Sequence, residues 1–312
     1  MAQRSDTLDK GLASAGQKAM GDRRTRSSAG FWLSSWRTFR RDKLAMAALV
    51  VALLIILFTL AAPLVSMVTG FTYRENDLAN RLAPVGTGDF ILGADGNGRD
   101  ILTRLAYGGR ISLLFAATGA LSTLVLGILF GAISGYFGGW VDTLIMRVVD
   151  IILSLPTLVV LILISSFYQP SVIVLALVIG VVSWPGVARL VRAQVLSLRG
   201  RDFVEAARVI GANDRIVILR HILPNIVPIV VVWLSLAVPG YILTETTLSY
   251  LGVGVRTPTP SWGNMLQESQ AVFRQSWTVV FIPGFMVFLT ALCMSLVGNG
   301  IRDAVDPRLK NN

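Results

Sequence analysis

Long apolar runs alternate with short polar, arginine-bearing stretches along this chain. Runs without a charged residue occupy positions 44–73, 111–141, 151–188, 222–244 and 275–301. A helix needs about 20 apolar residues to cross a hydrocarbon layer roughly 30 Å thick. The 151–188 run is too long for one crossing, and Tyr168-Gln169-Pro170-Ser171 is a turn signal that divides it. Six spans result, at about 44–68, 111–135, 144–167, 171–190, 222–245 and 278–301. Backbone in lipid must satisfy its own hydrogen bonds, so these runs predict helices. The alternating short strands of a membrane barrel are missing. The predicted fold is all-α and polytopic, one membrane domain over 31–312 behind a tail at 1–30.

Composition agrees. The chain is 54% hydrophobic and 15% charged, with a mean hydropathy of +0.66. That is too apolar for a soluble domain of 312 residues. The net charge of +10 would suit a nucleic-acid binder, but its placement does not. With the N-terminus inside, 21 of the 28 basic residues fall on inner segments and 7 on outer ones. The positive-inside rule expects this, so the basic excess sets topology with both termini cytoplasmic, and no nucleic-acid partner is implied. The tail is rich in Ser, Gly, Lys and Arg, which predicts disorder. It is also far longer than a signal-peptide n-region, so the first span reads as a retained anchor. Phe31 to Arg41 suits an interfacial helix on the inner leaflet, or the first turns of span one. The lone cysteine, Cys293, excludes a disulfide within the chain.

The inner loop at 197–221 carries the most information. Asp202 followed by Glu205 forms a capping-box pattern, and Phe203, Val204, Ala207 and Ile210 fall near one helical face. Gly211 can end that helix in the left-handed conformation. Asn213-Asp214 can cap a second short helix reaching His221, and Pro224 opens the next span. Geometry alone leaves two readings, an ordinary connection or a charged helix that exchanges force with a soluble partner.

The residues Glu205-Ala206-Ala207, Gly211 four positions later, and Leu223-Pro224 twelve beyond that resemble the EAA loop of ABC-importer permeases. His221 stands where the usual pattern has Ile, as in the peptide and nickel branch. Four further segments resemble that branch: Leu92 to Leu105, Gly135 to Pro156, Leu248 to Leu266, and Gly298 to Arg308. Ala94 and Asn299 depart from the Thr and Asp more common there. The chain is thus similar to the C-type permease subunits of dipeptide, oligopeptide and nickel importers. The stretch Val182-Ser183-Trp184 through His221 to Asn225 looks closest to the oligopeptide subgroup.

The resemblance implies a type I importer permease fold in a bacterial inner membrane. Asp202, Glu205, Ala206, Ala207, Gly211, His221 and Pro224 would belong to the coupling helix and its exit. The implied partners are a homologous second permease, two ATPase subunits that bind ATP and magnesium, and an extracytoplasmic substrate-binding protein. The chain would be a transport subunit rather than an enzyme, with no cofactor of its own.

Other candidates come from residue chemistry. The long outer loops, about 70–110 and 246–277, suit contact with an external protein or simple capping of the bundle. Asp95, Arg99, Asp100 and Trp262 are the docking candidates there. Glycines at 93, 96 and 98 predict tight turns, with Asp/Arg pairs holding the loop. The Asp95 to Asp100 segment lacks the central Gly and closing Glu of an EF-hand. No lysine follows a glycine, so no P-loop exists. One histidine and one cysteine complete no metal site.

Ionisable groups near membrane depth are candidates for the substrate path. Asp150 can pair with Arg147 one turn away. Glu245, at the outer end of span five, can meet an ammonium group or face water. A secondary transporter driven by an ion gradient is the alternative, but it calls for matching half-repeats and ion ligands, of which only Asp150 and Glu245 are available. A channel would need a carbonyl filter or charged ring that the chain lacks.

Overall fold

The computed structural model describes residues 28–168 and 170–306, with side chains from residue 32 onward. The tail up to residue 27, Gln169, and Pro307 and Arg308 of the C-terminal motif lie outside the described residues. The elements are α1 (Ser28–Phe39), α2 (Lys43–Leu60), α3 (Ala62–Thr69), α4 (Ile101–Phe137), α5 (Gly139–Leu153), α6 (Thr157–Tyr168), α7 (Val172–Arg199), α8 (Asp202–Val209), α9 (Leu223–Tyr250), α10 (Trp262–Ser269) and α11 (Thr278–Val305). Among the described residues there is no strand, only two isolated bridges in the loop before α4.

Five helices are long and apolar enough to cross a membrane, six if the bent pair α5–α6 counts as one. The predicted first span, 44–68, is divided at Ala61 between α2 and α3, and the third, 144–167, is broken more sharply. It breaks between Leu153 and Thr157, where the two halves meet at 77°. Pro156 is the cause, since its ring disfavours helical geometry at Leu155. The second span is longer than its apolar core, because Asp100 caps the helix early by accepting from the Thr103 backbone N–H. Span four also runs on, to Arg199.

Phe31 to Arg41 resolves into a separate helix. α1 stops at Phe39, and Asp42 caps α2 by accepting from the N–H groups of Leu44 and Ala45. Phe39 then packs with Ala45 and Ala304, against the end of α11.

α4 and α7 form the spine of the bundle, with the most extensive contact of any pair. Their close approach rests on small residues one turn apart on α4. A Cβ on Gly127 would lie 2.4 Å from the Cβ of Val187, and one on Gly131 would lie 2.6 Å from the Ala188 carbonyl oxygen. Lipid tails are as apolar as leucine, so helices in a membrane associate through such close packing. Two apolar clusters follow from this spine. One gathers Phe115, Leu175, Ile179, Ile242, Leu248 and Trp262. The other gathers Tyr136, Val191, Val195, Val204, Val217 and Ile222 at the opposite end. The two ends of α4 are about 54 Å apart, for 37 residues rising roughly 1.5 Å each.

Candidate coupling site and the far-end cluster

α8 is a two-turn helix whose one apolar face is buried and whose rest is bare. Val204 and Ala207 are buried, while Phe203, Val209 and Ile210 are exposed. The helix ends in a complete Schellman motif. Ala212 N–H donates to the Ala207 carbonyl at 3.0 Å, and Gly211 N–H donates to the Arg208 carbonyl at 2.9 Å. Gly211 takes φ +86° in open space, so backbone strain rather than crowding favours glycine there.

The predicted capping box does not form. Arg201 is the N-cap residue and no side chain caps the helix. Asp202 is already helical, so its carboxylate cannot reach back over the first turn. Asp202 and Glu205 instead place two exposed carboxylates in that first turn, where the helix dipole favours them. Ala206 is exposed as well.

The second cap is as expected: the Asn213 side chain accepts from Ile216 N–H at 2.9 Å. The following turn, Asp214–Ile216, does not end before the span. A π-helical stretch, Val217–Ile222, carries it directly into α9. Pro224 therefore does not open a new helix. It has no N–H for the Arg220 carbonyl, and the wider π spacing absorbs that missing bond. His221 sits half-buried in this stretch, and its carbonyl accepts from the Asn225 side chain at 2.6 Å.

Two contacts anchor this element to the spine, and a third, from Arg199, joins α7 to the end of α4 beside them. Tyr136, at the end of α4, donates its hydroxyl to Asp214 at 2.6 Å. The Arg208 guanidinium lies 5.2 Å from the Tyr136 ring centroid. Arg199 donates to the carbonyls of Gly135 and Tyr136, each at 3.3 Å. Sequence reasoning passed over Tyr136, Arg208 and Asp214 as a group. Their only signal was a polar aromatic at the end of an apolar run.

Beside them, Arg192 of α7 donates twice to Asp142 of α5, at 2.5 Å each. Ser134 also donates to that carboxylate. Asp150 pairs with Arg189 of α7 at 2.5 Å, not with Arg147 as its spacing suggested. The neighbouring helix offers a better-placed cation than the residue's own turn. Both partners of this pair are about half exposed.

The far end of α4 is built differently. Arg99 donates to Asp95 at 2.8 Å and to Glu268 of α10 at 2.5 Å. Arg104 donates to Glu268 at 2.8 Å and also to Asp95. The expected Asp/Arg pairing holds the loop, with Gly93 and Gly98 in the left-handed region. Of the docking candidates, Arg99, Asp100 and Trp262 are all buried. Trp262 Nε1–H donates to the Leu105 carbonyl at 3.0 Å, and its ring lies where a Cβ on Gly109 would fall. These side chains join the two loops to each other and present little to a visitor. Asp95 keeps slight exposure.

Glu245 is buried as well, at 1% exposure. Ser112 and Ser249 each donate to it at 2.7 Å, and Ser112 also accepts from the Trp262 backbone N–H at 3.3 Å. Glu245 thus ties α4, α9 and the start of α10 together. Among the described residues no cluster of His, Cys, Asp and Glu could hold a metal ion.

Comparison with known proteins places this architecture. Residues 127–311 match the family described as the inner membrane component of binding-protein-dependent transport systems. Residues 30–84 match the N-terminal transmembrane domain of oligopeptide transport permease C. The chain is 42% identical over 279 residues to the oligopeptide transport system permease protein OppC of Haemophilus influenzae, covering 89% of this chain and 88% of that one. It is 41% identical over 279 residues to OppC of Escherichia coli K12, covering 89% and 91%. It is 38% identical over 284 residues to the dipeptide transport system permease protein DppC of Alkalihalophilus pseudofirmus, covering 90% and 91%. Among solved structures it resembles the MetNI methionine ABC transporter in an inward-facing conformation, with a TM-score of 0.52 and 16% identity over 65% of this chain and 97% of that one. That last likeness shows the fold. This chain belongs to the inner-membrane components of binding-protein-dependent transport systems, as a multi-pass ABC-importer permease subunit of the oligopeptide and dipeptide branch that works with another permease and ATPase partners and is not itself an enzyme.

Proposed function

We propose that this chain forms half of the membrane passage of an importer for short peptides, and that α8 receives the stroke of a cytoplasmic ATPase. The observation that carries the coupling role is the bare apolar tip of α8. Val209 and Ile210 are 86% and 85% exposed beside the Schellman turn, yet α8 itself is tied to the end of α4 through Tyr136, Arg208 and Asp214. An exposed apolar tip on a held helix suits a partner's groove. Asp202, Glu205, Ala206 and Ala207 shape that helix, and Gly211, His221 and Pro224 shape its exit into α9.

Two ATPase subunits hold ATP and magnesium and close on the coupling helices of this chain and its homologous partner. That places α8 and both termini in the cytoplasm, consistent with the arginine-rich segments around it. The far-end loops then face an extracytoplasmic binding protein. Peptide cargo is supported by the relatives, which are named as oligopeptide, dipeptide and di/tripeptide permeases. We favour oligopeptides.

Gly211→Val tests the coupling role. A β-branched side chain at φ +86° costs about 1–2 kcal/mol and frays the end of α8. Membrane insertion is expected to stay normal, while tripeptide uptake falls and ATP hydrolysed per peptide rises. Unchanged uptake by this variant sinks the role assigned to α8.

A further inference from the structure

A second polar feature lies at the far end of α4, apart from the buried cluster. A cavity of about 620 Å³ opens among α2, α4, α9, α11 and the stretch before α10. That volume is within the range of ligand sites, roughly 300–1,000 Å³. Ile56, Leu114, Val238 and Met294 supply an apolar wall. Tyr73, Tyr107, Arg110 and Thr259 supply the polar groups. The two tyrosine rings lean together with centroids 4.7 Å apart. The Arg110 guanidinium sits 5.9 Å from the Tyr107 centroid, and Arg74 sits 5.3 Å from the Tyr73 centroid while donating to its hydroxyl at 3.1 Å.

The state of the arginines separates this place from its neighbour. Arg99 and Arg104, nearby, are each paired with Asp95 and Glu268. Arg110 is exposed and has no acid partner among the described residues. Stacking on Tyr107 orients its plane without using the N–H donors. It stands at the edge of the apolar run, on the cavity wall, about 39 Å along the helix from Tyr136, counting 1.5 Å per residue.

We propose that this cavity is a subsite for peptide in transit, with Arg110 taking the C-terminal carboxylate and the apolar wall taking side chains. The assignment rests on the peptide-import reading. Peptides of differing sequence share only their backbone and two charged ends. A passage that accepts many of them must grip those shared features, and a planar cation matches a carboxylate with two parallel hydrogen bonds. The apolar wall is indifferent to side-chain detail, since one methylene more or less changes binding only modestly. The Tyr107 and Thr259 hydroxyls remain for the peptide backbone.

The test has two arms. The first is uptake of radiolabelled trialanine by cells that depend on this chain. No uptake overturns the peptide reading, and the subsite with it. In the second arm the purified complex of permeases and ATPases, without binding protein, is titrated with trialanine and with trialanine amide. The free acid is expected to bind about tenfold or more tightly than the amide, the size of one charge-assisted contact. Arg110→Gln should erase the difference and Arg110→Lys should keep part of it. A merely structural role for Arg110 weakens both ligands equally. Equal binding of acid and amide to the wild-type complex overturns the subsite while leaving peptide import standing. So does a preference that survives Arg110→Gln. A phospholipid that co-purifies with the wild type but not with Arg110→Gln, with no acid–amide difference, assigns the site to a lipid headgroup instead.

Discussion

The two ends of α4 hold their charges in opposite ways. At the far end Arg99 and Arg104 are buried and shared between Asp95 and Glu268, which lie 173 positions apart in the chain (268 − 95). At the α8 end the Asp202 and Glu205 side chains are exposed and make no hydrogen bond among the described residues. The first arrangement closes two loops into one rigid cap. The second leaves polar and apolar groups on offer to a partner. Buried charges are costly unless each is paired, so the far-end cluster has one geometry and loses much if a member is removed. Surface charges contribute little to folding, which frees the coupling end to be shaped for docking.

This contrast can be broken or sharpened by substitution. The largest effect belongs to Glu268→Ala, which leaves two buried guanidinium groups to share Asp95 alone. It should lower stability by about 3–5 kcal/mol, read as a fall in the midpoint of thermal unfolding of the purified complex. A midpoint equal to wild type shows that the cap is not a closed unit. Gly127→Val comes next. Its side chain has no room against Val187, and overpacking of this kind costs about 1–3 kcal/mol. Loss of α4–α7 packing should appear as faster proteolysis and reduced recovery from the membrane. Tyr136→Phe removes only the hydroxyl that meets Asp214, about 1 kcal/mol. Folding should survive, and the ratio of peptide imported to ATP hydrolysed should drop. A ratio identical to wild type separates α8 from the spine. The smallest effect on stability is expected from Val209→Asp, within about 0.5 kcal/mol, because the side chain is exposed. It should nevertheless cut the amount of ATPase recovered with the tagged permease. Full recovery means the partner docks elsewhere.

The helices themselves were legible because lipid imposes a length and a composition on any crossing segment. The runs at 111–135, 222–245 and 278–301 lie on helices found in the structure, 171–190 does so after its cap at Ser171, and 44–68 is carried by α2 and α3 with a break at Ala61. The Schellman glycine and the Asn213 cap were legible as well, since both act within a few residues of themselves. Asp202 was misplaced by one position, and that shift was enough to turn a cap into a first-turn charge. The 77° break at Pro156 was available in principle, but its size depends on what α5 packs against.

Candidate site residues divide the same way. Gly211 and the exposed face of α8 follow from local pattern. Glu245, Asp150, Arg99 and Trp262 were visible as unusual residues, yet the partners they meet were not. Glu245 meets Ser112, 133 positions away, and Trp262 meets Leu105, 157 positions away. No spacing rule reaches that far.

By itself, then, the sequence determined a helical membrane protein and a glycine-ended helix between two spans. Each of these is written in short-range terms: about 20 apolar residues for a crossing, a left-handed glycine for a helix end. Only the tertiary structure decided which charges are buried and which are offered. Arg99, Arg104 and Arg110 are alike on paper and lie within one loop and the first three turns of α4. Packing of α10 against that end covers two of them with carboxylates and leaves the third open over a cavity. Desolvation depends on every neighbour in space, and those neighbours come from parts of the chain that no local pattern connects.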